Sequence, residues 1–357
     1  MITLVLTYRN RDLRIVKNCL NSLAHQSEKD FRVILVDYGS DLIFAEGIVN
    51  TVSKYEFVSL ISCPTRHQLW SKARAINLAL RESASEFFLV GDVDMIFKSN
   101  FIDKACQLKE ARKVTYFQVG FLSHSESLQN KDFSNYLINH FSTKDATGIS
   151  MFPKSLLMEI NGYDEFYHGW GSEDTDVHNR ISKLGVPIHF YDSEVLLLHQ
   201  WHEKSYRSLK SEYPFHTALE RVNQKYLEYT QTRCSSKANI GQEWGLPAAY
   251  KAYEKLNDPD EKITLSNEKN ELKAFVLGGV FQLNSCVEIT LERHEKINDL
   301  KNTIKRKVGK KSIAFFDLEE SNNLLLEMII VHFRNLPYRY KYDLNRQEII
   351  LTINLNP

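Results

Sequence analysis

The chain has 357 residues, with 45 Lys and Arg against 45 Asp and Glu, 43% hydrophobic and 25% charged, the composition of an ordinary globular protein. At about 100–200 residues per domain, that length predicts two domains, each able to bury a core. Zero formal charge leaves no electrostatic footprint for wrapping nucleic acid, and 14 Gly with 8 Pro are too few for a collagen-like or disordered chain.

In chain order, Ile2–Thr7 reads as a buried strand, and Leu13, Val16, Leu20 and Leu23 then recur at spacings of three and four, one face of a helix. Phe31–Val36 and Phe57–Ser62 read as strands, Trp70–Leu80 as a helix, and Phe87–Val90 as a fourth strand running into an acidic turn. This alternation predicts an α/β fold with a largely parallel sheet, in which ligands sit beyond the carboxyl ends of the strands. Next come a strand at Val114–Val119, a polar loop at Ser123–Lys131, and a strand-helix segment from Ile149 to Ile160 closed by the Asn161-Gly162 turn. A helix from Glu173 to Leu184 and a strand at Val195–Leu198 lead to His199.

Residues 203–260 read as mostly helical and charged, with Asn257-Asp258-Pro259-Asp260 as a linker. From about 262 onward the expected elements are strands Ala274–Val280 and Ser285–Leu291, an apolar helix near Asn323–His332, and a closing pair Tyr338–Tyr342 and Glu348–Ile353. The division is therefore 1–205, a helical extension 206–261, and a small α+β domain 262–357 with no chemical motif. Cys19, Cys63, Cys106, Cys234 and Cys286 are scattered without a Cys-x-x-Cys pair, which indicates neither a disulfide framework nor a zinc knuckle. With no apolar run of about 18 residues and no basic leader before the first strand, the expected setting is the cytosol, with at most peripheral membrane contact.

Candidate chemistry gathers at the strand ends. Asp92 and Asp94, two carboxylates on an irregular turn, can converge on a hard divalent cation, although an Asp-x-Asp is also a common solvated turn. Arg9 and Arg11 suit a diphosphate, and Asp37 suits a base or ribose; surface solubility and a turn at Gly39 are the plain alternatives. In His168-Gly169-Trp170-Gly171-Ser172-Glu173-Asp174, the glycines permit close backbone approach and leave an aromatic face for a sugar ring. Glu173 and Asp174 then open a helix, where acids are favoured in any case, and Ser172 reads as its N-cap. His199 and His202 follow a strand; either imidazole, joined to the carboxylate pair, would complete a mixed O/N site for manganese or a similar ion, while a lone histidine is more often structural.

Together, Thr-Tyr-Arg-Asn-Arg at 7–11, Val-Asp-Tyr-Gly-Ser at 36–40, Asp-Val-Asp at 92–94, Gly-Trp-Gly-Ser-Glu-Asp at 169–174 and His199 resemble the GT-A fold glycosyltransferases. The likeness is closer to bacterial family 2 enzymes, β-1,4-galactosyltransferases and chondroitin-type polymerases, and it spans about residues 1–205. It implies a Rossmann-like nucleotide-diphospho-sugar transferase domain and metal-dependent, inverting transfer of a hexose or N-acetylhexosamine, galactose-type favoured, from a UDP-sugar to a saccharide or lipid-linked saccharide. By the same resemblance, Thr7, Arg9, Arg11 and Asp37 contact the uridine diphosphate, and Arg74 and Asn77 lie on the helix beside it. Asp94 ligates the cation, Mn2+ ahead of Mg2+, with Asp92 and Val93 at the ribose or metal shell and His199 or His202 as a further ligand. Trp170 and Gly171 line the sugar pocket, Glu173 binds a hydroxyl and Asp174 is the base.

Tyr38, where the family's usual Val-Asp-Asp-Gly-Ser carries a second acid, departs from that pattern, as does the Ser-Lys-Ala-Arg segment at 71–74. The implied setting is bacterial surface polysaccharide or glycolipid assembly at the inner face of the plasma membrane. The competing readings are a sugar-1-phosphate nucleotidyltransferase, disfavoured by the lack of a Gly-rich loop after the first strand, and a non-catalytic glycan-binding protein.

Overall fold

The computed structural model describes residues 1–203, 214–232, 235–246 and 249–357; the helical reading of 204–213, and Cys234, lie outside the described residues. Two compact units divide the chain. The first takes in Met1–Cys63 and the segments that begin at Trp70 and at Arg221, the second Pro64–Leu69 and the C-terminal part of the chain to Pro357.

In the first unit β1 (Ile2–Tyr8), α1 (Leu13–Ala24), β2 (Phe31–Tyr38), α2 (Leu42–Val52), β3 (Val58–Cys63), α3 (Lys72–Glu82) and β4 (Phe87–Asp92) alternate as expected. Every residue of β1 is buried, because its two faces meet different halves of the core: Leu4 and Leu6 on one side, Val5 on the other. α1 buries Val16, Cys19, Leu20 and Leu23 and is opened by Asp12, whose carboxylate accepts from the Arg14 amide. There follow β5 (Met95–Phe97), α4 (Phe101–Gln107), β6 (Val114–Phe117), β7 (Val119–Leu122), α5 (His124–Ser127), β8 (Ile138–Phe141), β9 (Ser150–Pro153), α6 (Lys154–Glu159), α7 (Glu173–Ser182), β10 (Ile188–Tyr191), β11 (Leu197–His199) and α8 (Leu219–Thr232).

These strands build a seven-stranded sheet, β10-β6-β9-β4-β1-β2-β3, in which only β9 runs antiparallel to its neighbours, and a four-stranded sheet, β5-β11-β7-β8. The chain steps from the first sheet to the second at Val93-Asp94, and again at Gln118. The single strand expected over 114–119 is therefore two strands in different sheets, a change of partner that its apolar pattern could not signal. Strand order reverses between β1 and β4, where Thr7 and Asp92 are register partners. Open α/β sheets hold ligands at such a switch point.

The second unit contains α9 (Tyr250–Glu254), β12 (Glu261–Ser266), α10 (Lys269–Leu277), β13 (Cys286–Glu292), α11 (Leu300–Lys307), α12 (Leu318–Met328), β14 (Tyr338–Asp343) and β15 (Glu348–Asn354). Its sheet order is β12-β13-β15-β14, with β12 and β13 parallel. The strand expected at 274–280 is instead the end of α10 and the start of a short 3-10 helix, Gly279–Gln282, that follows it. Leu272, Phe275 and Val276 share its buried face, and the Glu268 carboxylate caps it by accepting from the Glu271 amide, so helical spacing prevails over the β-prone composition. Pro64–Leu69 joins this unit through β14: Gln68 donates to the Tyr338 carbonyl, and the Tyr340 amide donates to the His67 carbonyl.

Candidate active site

Asp94 follows the last residue of β4 by two, on the turn that carries the chain between sheets. β11 runs antiparallel to β5 with His199 opposite Met95, and the Gln200 amide donates to the Asp94 carbonyl, so backbone pairing delivers the histidine segment beside the acid. His202 Nε2 lies 3.1 Å from Asp94 Oδ2 and His199 Nε2 3.7 Å from Oδ1. The donor atoms of Asp94, His199 and His202 all fall within 4.8 Å of one another. Arg11 Nη2 approaches the same carboxylate at 3.5 Å.

Burial alone would raise the Asp94 carboxyl, but His199, His202 and Arg11 outweigh it and hold the group well below the usual range. Burial lowers His199 against the pull of Asp94. His202 Nδ1 lies 2.9 Å from the Glu203 carbonyl, which can only accept, so Nδ1 carries a proton and Nε2 is the nitrogen turned toward Asp94. Asp94 Oδ1, moreover, is buried with no hydrogen-bond partner.

A second cluster forms around Lys72, in the first turn of α3. Its ammonium lies 3.1 Å from Asp92 Oδ1, 3.3 Å from Asp174 Oδ2 and 3.9 Å from Glu173 Oε1. Burial opposes the charged form, yet Asp174, Asp92 and Glu173 together raise this lysine well above its ordinary range. Asp174 moves the other way from a typical ion-paired acid. Burial, reinforced by Glu173 and Asp92, pushes it up to about 7 against the pull of Lys72.

The helix that carries these acids is firmly held. The Asp176 carboxylate accepts from Arg180 Nε at 2.7 Å, and Arg180 Nη1 donates to the carbonyls of Ile160 and Gly162. Before that helix, Gly169, Gly171 and Ser172 take φ of 71°, 96° and 77°. The two glycines tolerate this region; Ser172 occupies the cap position without a side-chain cap bond. Asn223 Nδ2 pins the loop through the carbonyls of His168 and Trp170 and leaves the indole 44% exposed.

The other expected residues divide. Thr7 is buried at the end of β1 beside Asp92, and Val93 is turned into the core. Tyr8 and Asp37 are register partners; burial raises the Asp37 carboxyl, while hydrogen bonds from Ser40 and the charge of Arg9 oppose the rise. Tyr38 is buried edge-on against Trp70. Arg74 reaches the Leu246 carbonyl. Asn77 is fully buried: it donates to the Tyr163 carbonyl and to Glu165 Oε1 and accepts from the Tyr163 amide, so both its N–H donors are engaged within the fold. Asp92 meets Lys72 rather than the Asp94 group.

Lys72 is not among the residues that the sequence patterns single out. The signal was present, because a lysine in the first turn of a helix opposes the macrodipole and calls for nearby acids.

The reversed strand order, with acids and imidazoles converging at the switch point, agrees with the nucleotide-sugar transferase fold of the GT-A class that the sequence resembles. The model of Glycosyl transferase family 2 matches residues 3–155, and that described as the N-terminal domain of galactosyltransferase matches residues 131–202. Residues 3–202 thus resemble glycosyltransferases of two families in consecutive, overlapping parts, on a GT-A fold. Bos taurus β-1,4-galactosyltransferase 1 is 24% identical over 124 residues, 34% of this chain and 27% of that protein. Human chondroitin sulfate synthase 3 is 25% identical over 160 residues, 42% of this chain and 18% of that protein. The chain thus spans well under half of either relative. The crystal structure of GalNAc-T7 with UDP, GalNAc and Mn2+ superposes with a TM-score of 0.50 at 12% identity, covering 64% of this chain and 48% of that one, a likeness of fold.

Proposed function

We propose that the chain transfers a hexose or N-acetylhexosamine, of galactose type, from a UDP-sugar to a hydroxyl of a glycan or glycolipid, with inversion and with a divalent cation. The observation that carries this reading is the meeting of Asp94, His199 and His202 at the sheet edge whose Asp92 is tied through Lys72 to Glu173 and Asp174. The relatives' names, a galactosyltransferase and a chondroitin synthase, support the sugar class.

Asp94, His199 and His202 would hold the ion; the orphaned Asp94 oxygen and the facing imidazole nitrogens fit one, and the mixed O/N set suits Mn2+ better than Mg2+. When bound, it neutralises charge on the departing diphosphate. Arg9 and Arg11 supply further positive charge there, with Thr7 and Asp37 beside the nucleoside. Lys72 stands ready to exchange a carboxylate for a phosphate oxygen.

Trp170 offers its exposed face to a sugar ring, and Glu173 accepts from a hydroxyl. The acceptor oxygen attacks C1 as the bond from C1 to UDP breaks, and the acceptor proton passes to Asp174. A carboxyl brought to about 7 suits a base working near neutrality. The test is UDP release from a panel of UDP-sugars, with and without Mn2+ and a saccharide acceptor. Pyrophosphate formation from UTP and a sugar 1-phosphate, without UDP release from any UDP-sugar, would replace this reading with nucleotidyl transfer.

A further inference from the structure

The second unit carries a feature that sugar transfer does not use. Between Lys296 and Lys311 seven basic residues stand against one acid, Asp299, in a chain whose formal charge is zero. α11 lies in the middle of this segment and buries none of its residues. Leu300, Ile304 and Val308 are 76%, 59% and 60% exposed. Spacing by four puts them on one stripe.

Asn302, on the opposite face, donates to the Ile313 carbonyl and accepts from the Ile313 amide, so α11 is held to the unit by its polar back while its apolar stripe faces outward. Lys301 and Lys305 flank the stripe on one side and Lys307 on the other. A cleft of about 420 Å³ lined by Lys296, Lys301, Lys305 and Lys311, with Asp299 as its one acid, adjoins the helix. Among the described residues no helix is long and apolar enough to cross a membrane.

We propose that α11 and its lysine cleft form an interfacial docking site for an anionic lipid bilayer. The apolar stripe enters the boundary between headgroups and acyl chains, and the surrounding cations meet lipid phosphates. Charge complementarity selects this occupant: an acidic protein or a nucleic acid would use the cations but leave three large aliphatic side chains in water. The inference is independent of the catalytic reading, since it rests on residues of the second unit alone.

The test is co-sedimentation of the full chain with vesicles of phosphatidylcholine alone or containing about one-third phosphatidylglycerol. The wild type should sediment with the anionic vesicles only and be released as salt rises to about 0.5 M. Lys305→Gln with Lys307→Gln should weaken partition about 25-fold, about fivefold for each cation. Ile304→Asp should weaken it at least about tenfold. Both variants should keep the wild-type melting temperature, since the altered side chains are exposed. Equal partition of wild type and variants, equal binding to neutral vesicles, or retention by RNA without vesicle binding would overturn the proposal.

Discussion

The Lys72 ammonium lies 3.3 Å from Asp174 Oδ2, so a lysine from the start of one helix neutralises the carboxylate at the start of another. This contact lowers the Asp174 pKa, which burial and neighbouring acids raise. Removing the ammonium in Lys72→Met therefore leaves Asp174 protonated to a higher pH. The acid limb of kcat/KM should move upward, with a larger loss of rate at pH 6.5 than at pH 8.5, while Lys72→Arg should keep the limb close to its original position. A pH-rate profile of the three proteins checks this.

In the unaltered chain Asp174, the proposed base, must be ionised to accept a proton, so activity should be lost as pH falls through its folded-state value of about 7. Asp174→Asn removes the acceptor of that proton and should reduce turnover by about 10²–10⁴-fold. UDP affinity, measured by calorimetry, should change little, because Asp174 is not itself a proposed nucleotide contact and an amide oxygen in its place can still accept from Lys72.

Asp94→Ala removes the carboxylate that both imidazoles face. Affinity for Mn2+ should fall by at least about 100-fold, and His202→Ala should cause a smaller loss that adds to that of His199→Ala. Metal-dependent UDP release should fall with the affinity, and chelation with EDTA should reproduce the loss in the unaltered chain until Mn2+ is restored.

Asn77 lies on the helix expected beside the nucleotide, but its donors are committed to Tyr163 and Glu165. Gly162, at φ +67°, leaves room for it: a Cβ there would meet Asn77 Oδ1 at 2.4 Å. Asn77→Ala should cost about 2–4 kcal/mol of stability by stranding buried backbone groups. The donor KM of the folded fraction should stay unchanged, and thermal melts with kinetics at low temperature separate the two effects.

Much of this fold is legible in the chain, for a physical reason. β1 to β4 and the helices between them bury one-sided or continuous apolar patterns, and Leu13, Val16, Leu20 and Leu23 announce α1 by spacing alone. The sheet change at Gln118 is not legible, because Val114–Leu122 stays apolar while its hydrogen-bond partners switch. The helix at Lys269–Leu277 was hidden by its β-prone Ala-Phe-Val-Leu ending. For the site, residue types at strand ends pointed to Asp94 and the two histidines but left the choice of imidazole open. Both imidazoles face Asp94: His199 is set by the β5–β11 register, and His202 lies three residues on, just past the Gln200 amide that donates to the Asp94 carbonyl. Lys72 was missed because a charged helix residue ordinarily reads as solvated surface.

In the proposed reaction the Asp94 group and Asp174 serve one transfer site in separable roles. Electron paramagnetic resonance titration of Mn2+ in the presence of UDP, on the wild type, Asp94→Ala and Asp174→Asn, tests it most directly. Tight Mn2+ binding in the wild type and in Asp174→Asn, but not in Asp94→Ala, is the predicted result. Wild-type binding in Asp94→Ala, or no Mn2+ binding by the wild type with UDP present, would contradict it.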